Sequence, residues 1–262
     1  SGRYGPGSQY VIKGAGRHYH LTQYKMAKHG KKYREALEQV ESALAGKEVL
    51  SVDEAIDLIK KTPATKFDST CEVHVRLGVN PKHADQNVRS TVSLPHGTGK
   101  EVRVIAFVDD AGVKDAKAAG AVEAGTAELI EKIEKGWLDF DVAVADPSQM
   151  REISKIAKIL GTKGLMPSPK AGTITPDVVN AIEEIKKGKV EFRVDKLANV
   201  HTIFGKVSFE GSALKENLLA VVKAILDVRP TTIKGTYLKS ITLTTTMGPG
   251  VPVDMADAQA QA

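Results

Sequence analysis

The sequence predicts a mixed α+β / α/β chain: a split two-layer α/β sandwich domain into which a Rossmann-like three-layer α/β domain is inserted through a two-strand hinge. Three observations predict it. Strand-like runs in the flanks alternate apolar and polar residues, as in CEVHVRLGV and VEFRV, whereas those in the middle, VRVIAFV and FDVAVA, are apolar almost throughout. The middle runs alternate with helical patterns, which argues a parallel sheet covered on both faces. Gly/Pro-rich stretches, LPHGTGK at 94–100 and LGTKGLMPSPKAGT at 160–173, with KKGK at 186–189, punctuate the chain where turns, hinges or ligand loops belong. The expected divisions are a leader, tag or basic arm over 1–25, a split domain over 26–97 plus 188–253, an inserted domain over 98–187, and an acidic tail over 254–262.

In the first flank, REALEQVESAL places Leu37, Val40 and Leu44 on one helical face, and Ser51-Val-Asp-Glu54 is a capping box opening a second helix. In CEVHVRLGV, Cys71, Val73, Val75 and Leu77 point inward and Glu72, His74 and Arg76 outward. The middle segment reads strand VRVIAFV, short helix GVKDAKAAGA, helix AELIEKIEKGW, strand FDVAVA, one helix MREISKIAKIL and a closing helix VVNAIEEIKKG. In the second flank VEFRV turns Val190, Phe192 and Val194 inward, TIFGKVSF is its expected partner strand, and LKENLLAVVKAIL is an amphipathic helix. YLKSITLTTTMG is expected to be the final strand and a sheet edge, with Ser240, Thr242, Thr244 and Thr246 on one face and Ile241 and Leu243 on the other.

The 262 residues, 42% hydrophobic, suffice for one large domain or two modest ones. No apolar run reaches the roughly 18 residues of a membrane span, so no membrane partner is expected. A single cysteine excludes an intramolecular disulfide framework and a multi-cysteine zinc site, and a reducing cytoplasm or a similar organelle interior is the expected setting. The formal charge of +5 is uneven: the first 25 residues carry +4, 26–97 carry +1, 98–187 carry −2, 188–253 carry +4 and the last nine carry −2. A basic surplus in the flanks points to a polyanion there rather than in the middle.

Enzyme motifs are absent. HGTGK ends like a phosphate loop, but Leu94 stands where its first glycine is needed and Glu101 where its Ser/Thr is needed. No dinucleotide fingerprint follows a strand, the histidines lack metal-ligand spacing, and Cys71 reads as a small buried hydrophobe. No catalytic residue, cofactor or metal is expected; a nucleotide-binding or hydrolytic α/β protein is the alternative. Structured RNA can instead be held by shape, through phosphates and 2′-hydroxyls, using small hydroxyls, backbone amides and a few cations. The threonine ladder with Met247 and Gly248 offers these, or is a solvated strand face. Lys66 and Phe67 offer a cation and an aromatic, or Phe67 caps the core. Arg193, Asp195, Lys196, His201 and Lys206 add polar groups to the same split domain, or are solvated charge.

The segments MAKHGKKYREAL, KFDSTCEVHVRLGVNPKHADQNVRSTVSLPHGTGK, GWLDFDVAVADPSQM, LGTKGLMPSPKAGT, VEFRVDK and SITLTTTMGPG stand in the order and spacing of one family. From Met26 to about Val253 the chain resembles the bacterial-type large-subunit ribosomal protein L-one family. It departs at Ser90, where the family usually has Gly, and in GTKGLMPSPK, where it usually has GPRGLMPNPK. The resemblance implies a non-enzymatic protein, monomeric when free, that binds large-subunit rRNA beside other ribosomal components and forms the mobile stalk at the exit site. It implies help in releasing deacylated exit-site tRNA, and binding to the protein's own operon mRNA as a translational repressor. It carries RNA binding onto Lys66, Phe67, Thr70, Glu72, Ser240, Thr244, Thr246, Met247 and Gly248, and further onto Arg193, Asp195, Lys196, His201 and Lys206. The hinge falls at Gly97, Gly99, Lys187 and Gly188. The implied location is the ribosome of the cytoplasm or of an organelle.

Overall fold

A computed structural model describes residues 30–62 and 65–262. The expected leader, 1–25, lies outside them. Helix α1 (Lys31–Leu44) buries Ala36 and Val40 and leaves Leu37 and Leu44 only half-buried. Helix α2 (Val52–Lys61) opens on the expected capping box: Ser51 Oγ accepts from the Glu54 N–H at 3.3 Å, and Glu54 Oε2 accepts from the Ser51 N–H at 3.2 Å. Strands β1 (Thr70–Leu77) and β2 (Arg89–Ser93) follow. Strand β3 (Val104–Phe107), helix α3 (Val113–Ala118), the short strand β4 (Glu123–Ala124), helix α4 (Ala127–Glu134) and strand β5 (Val142–Ala145) realise the alternation of the middle segment.

The single helix expected over MREISKIAKIL is instead α5 (Met150–Ile153), a 3₁₀ turn over Ser154–Ile156, and α6 (Ala157–Lys163). Ser154 Oγ donates to the Arg151 carbonyl at 2.6 Å, a local bond that competes with the helical ladder at the break. Ile153, Ile156 and Leu160 are buried all the same.

Helix α7 (Val178–Lys186), strands β6 (Lys189–Arg193) and β7 (Asn199–Lys206), helix α8 (Gly211–Asp227), strands β8 (Leu238–Thr245) and β9 (Val251–Val253) and helix α9 (Met255–Gln261) complete the chain. Three features of the chain differ here from what its sequence predicts. TIFGKVSF is not the partner of VEFRV: β7 pairs antiparallel with β1, while β6 pairs with β2. The threonine-rich strand is neither final nor an edge, because Met247-Gly248 turns the chain back and β9 pairs with β8, giving the order β7-β1-β8-β9. The residues read as an acidic tail are α9, whose Asp257 accepts the Val52 N–H at 2.8 Å and whose Ala258 is buried. VPV is too short, and too broken by Pro252, to declare itself in sequence. Its outer side is instead closed by Leu50, which donates to the Pro252 carbonyl at 3.1 Å.

Among the described residues, most buried apolar side chains fall into three clusters. One draws on residues from Val40 to Leu94 and from Phe192 to Ala258, and lies under the four-stranded sheet with α2, α8 and α9. The others flank the parallel sheet, of order β4-β3-β5. Val104, Ala106 and Val144 pack with α3 and α7 on one face, and Ile105, Phe107, Ala143 and Ala145 with α4, α5 and α6 on the other. Both faces are covered, which is why these strands read as unbroken apolar runs. By contacts, Lys31–Ala262 is one compact unit.

Candidate nucleic-acid interface

The four-stranded sheet has one face on the core and one face open. On β1, Cys71, Val73, Val75 and Leu77 are buried while Glu72, His74 and Arg76 face out. Burial leaves Cys71 as an inert thiol, pushed up to about 12 by desolvation first and by Asp68 second. On β8, Ile241 and Leu243 are buried, Ser240 is exposed and Thr242 and Thr244 are half-buried, so the expected outward ladder exists. Register sets outward rows: Thr244 and Ile203 beside Glu72, Thr242 and His201 beside His74, Ser240 and Asn199 beside Arg76.

One end of this face gathers most of the expected residues. Thr70 opens β1 opposite Lys206 at the end of β7, and the Thr246 N–H donates to the Thr70 carbonyl at 3.0 Å. Before Thr70, the loop carries exposed Lys66 and a Phe67 that is 60% exposed, so this ring does not cap the core. Asp68 holds the loop by accepting the Ser208 N–H at 3.1 Å and its hydroxyl at 2.9 Å, with Lys206 Nζ 3.8 Å away. Beyond Thr246, Met247 is 73% exposed and takes a left-handed backbone, φ 66°, unusual for a side chain of its size. The turn is tight: a Cβ on Gly248 would lie 2.4 Å from Thr245 Oγ1. Phe67 and Met247 therefore stand as two exposed apolar side chains beside the Thr70–Thr246 junction.

Two threonine hydroxyls have structural duties that the sequence reading assigned to RNA. Thr246 Oγ1 accepts the Thr70 N–H at 3.1 Å. Thr244 Oγ1 faces the carbonyls of Thr245, Gly248 and Pro249 at 3.1, 3.2 and 3.2 Å and can donate to one of them. They build the turn that presents Met247, and keep only spare lone pairs for a ligand.

The remaining expected residues lie toward the other end. Arg76, beside Ser240, is about 20 Å along β1 from Thr70 at about 3.3 Å per residue. Exposed Arg193 ends β6, and Lys196 sits in the β6–β7 turn where Asp195 Oδ1 accepts the N–H groups of Leu197 and Asn199 at 2.8 and 2.7 Å. Those bonds, Asn199's first, hold the Asp195 carboxyl below its usual range. His201 lies between the two ends, with its Nδ1 2.8 Å from that of His74.

At the two crossings into the middle segment the expected glycines are all left-handed, with φ 68° at Gly97, 69° at Gly99 and 105° at Gly188. Gly97 and Gly188 pack backbone on backbone: a Cβ on Gly188 would lie 2.5 Å from Gly97 Cα. Lys187, beside them, is exposed and paired with Glu183 at 3.2 Å. Sequence reasoning missed Asn217. It is fully buried in α8, accepts the His96 N–H at 3.0 Å, and donates to the carbonyls of Gly97 at 3.0 Å and Phe204 at 2.9 Å. Its signal was one amide in the apolar stripe of Leu214, Leu218 and Val221.

A family model described as the ribosomal protein L1p/L10e family matches residues 58–249. The chain belongs to the ribosomal protein L1p/L10e family. It is a non-enzymatic structural protein of the large ribosomal subunit, associated with the ribosome through rRNA. The L1p/L10e match contains every candidate RNA-binding and hinge residue from Lys66 to Gly248, and leaves α1, β9 and α9 outside it. No described helix is long and apolar enough to cross a membrane, and no described group of three or more His, Cys, Asp or Glu side chains could hold a metal ion.

Proposed function

We propose that this chain binds folded large-subunit rRNA with the open face of its four-stranded sheet, using Lys66, Phe67, Thr70, Glu72, Lys206, Thr244, Thr246, Met247 and Gly248 at one end. Ser240, His201, Arg193, Asp195 and Lys196 extend the contact toward the other end. The observation that carries this reading is the exposure of Phe67 and Met247 beside the hydrogen-bonded Thr70–Thr246 junction, at one end of the four-stranded sheet whose other face packs on the core. Shape recognition of RNA uses such surfaces: apolar side chains against sugars or bases, and backbone and cations against phosphates.

The proposal extends to a split domain, 26–97 plus 188–253, carrying an inserted domain, 98–187, on a hinge at Gly97, Gly99, Lys187 and Gly188. The membership of the three apolar clusters and the glycine contact between the crossings support it. In this reading the protein, monomeric when free, forms the mobile stalk beside the exit site among other ribosomal components of the cytoplasm. There it helps release deacylated tRNA, and it represses translation by binding a like structure in its own operon mRNA. The test is equilibrium binding to a stalk rRNA fragment over a salt series. Saturable binding is expected, with log K falling linearly in log salt at about −0.9 per duplex phosphate neutralised. Binding no tighter than to an unrelated RNA hairpin of equal length overturns the reading.

A further inference from the structure

His74 and His201 face each other across β1 and β7 on the open sheet face. Their Nδ1 atoms are 2.8 Å apart and their rings meet edge-on at 63°. Each ring has a carboxylate near its other nitrogen: Glu72 Oε2 is 3.9 Å from His74 Nε2, and Asp195 Oδ2 is 3.5 Å from His201 Nε2. A carboxylate favours an N–H on the nitrogen it faces. If both Nε2 atoms carry hydrogen and both rings are neutral, two Nδ1 lone pairs oppose each other at hydrogen-bond distance. One further proton between them removes the conflict, and the pair then carries a single positive charge.

We propose that the His74–His201 pair is a phosphate contact that loads one proton when RNA docks, the proton coming from solvent and lying between the two Nδ1 atoms. The proposal rests on the reading that this sheet face binds RNA. Before docking, the pair faces Glu72 and Arg76 from β1, Asp195 from the β6–β7 turn, the uncharged Thr242 from β8, and Asn199 and Ile203 from its own β7. Two carboxylates against Arg76 leave the free site with one negative charge in excess. An arriving phosphate adds negative charge and raises the pair's affinity for the proton. In the loaded pair His74 Nδ1 is the hydrogen-bond acceptor and not the seat of the proton, since burial first and the neighbouring His201 second lower its proton affinity. The pair's proton thus offsets the excess negative charge of Glu72 and Asp195 over Arg76, so that this patch of sheet no longer repels an arriving phosphate.

The test is affinity for the stalk rRNA fragment at fixed salt from about pH 8 to about pH 5.5, where imidazoles titrate. Wild type is compared with His74→Gln and His201→Gln, which keep polar bulk without charge. Wild-type affinity is expected to fall as pH rises, by at most about tenfold per pH unit for one linked proton, and both variants to lose that part of the slope. Equal slopes in all three proteins overturn the proposal and leave the RNA reading standing. If wild type binds no RNA, the RNA reading fails and the phosphate contact fails with it. NMR titration of the imidazoles without RNA then still judges the shared proton: two coupled steps that become one ordinary step in His201→Gln support the pair, and two independent steps exclude it.

Discussion

The two larger sheets of this chain are built from similar apolar residues and differ in what covers them. The parallel sheet has helices on both faces, so Ile105 and Phe107 are as buried as Val104 and Ala106, and its central strand β3 presents no side chain to a partner. The four-stranded sheet has helices on one face, so every second residue of β1 and β8 is polar and accessible. Strand composition alone therefore separates a scaffold from a surface that can bind.

That contrast can be broken first in the covered sheet. Phe107→Ala removes a fully buried ring and should cost about 3–5 kcal/mol of stability. Denaturant unfolding measures the loss. RNA affinity is expected to stay within about twofold at 25 °C, a change of less than about 0.5 kcal/mol, wherever the variant is folded. A large loss of affinity in folded protein would tie the two sheets together functionally.

The junction comes next. Gly188→Ala places a Cβ against Gly97 Cα in a left-handed backbone, and strain of this kind costs about 1–3 kcal/mol. The crossings should separate, which small-angle scattering reads as a larger radius of gyration; an unchanged radius and stability would show that the crossings are not held by this contact.

The smallest effect concerns acid. Burial raises the Asp141 carboxyl, but bonds from Lys100 and from the Arg103 backbone and side chain outweigh it and hold it at about 2, below the ordinary 3.8. A folded-state value below the unfolded one means stability that is present above pH 3.8 and lost as pH falls through about 2. Asp141→Asn should therefore be less stable than wild type at neutral pH and equal to it near pH 2. A constant difference across that range would contradict the assignment.

Much of the fold is legible in sequence for a local reason. The capping box at Ser51, the period-two burial of β1 and β8, and the apolar β3 and β5 are each set by neighbouring residues. What was not legible depends on distant ones. The partner of β7 is decided by β1, more than 120 residues away in the chain, and β9 exists because Leu50 closes its outer side. At the site, the outward position of Ser240, Thr242 and Thr244 follows from alternation. The capture of the Thr246 hydroxyl by Thr70 does not, nor does the meeting of His74 with His201, since both need the strand register.

In the proposed function, RNA meets the Phe67–Met247 end of the open sheet face. The most direct measurement is the dissociation constant of the stalk rRNA fragment for the Phe67→Ala/Met247→Ala double variant. Both side chains are exposed, so the fold should be retained, as circular dichroism can verify. Weakening of about tenfold or more is expected, the equivalent of about 1.4 kcal/mol. A fully folded double variant that binds as tightly as wild type would contradict it.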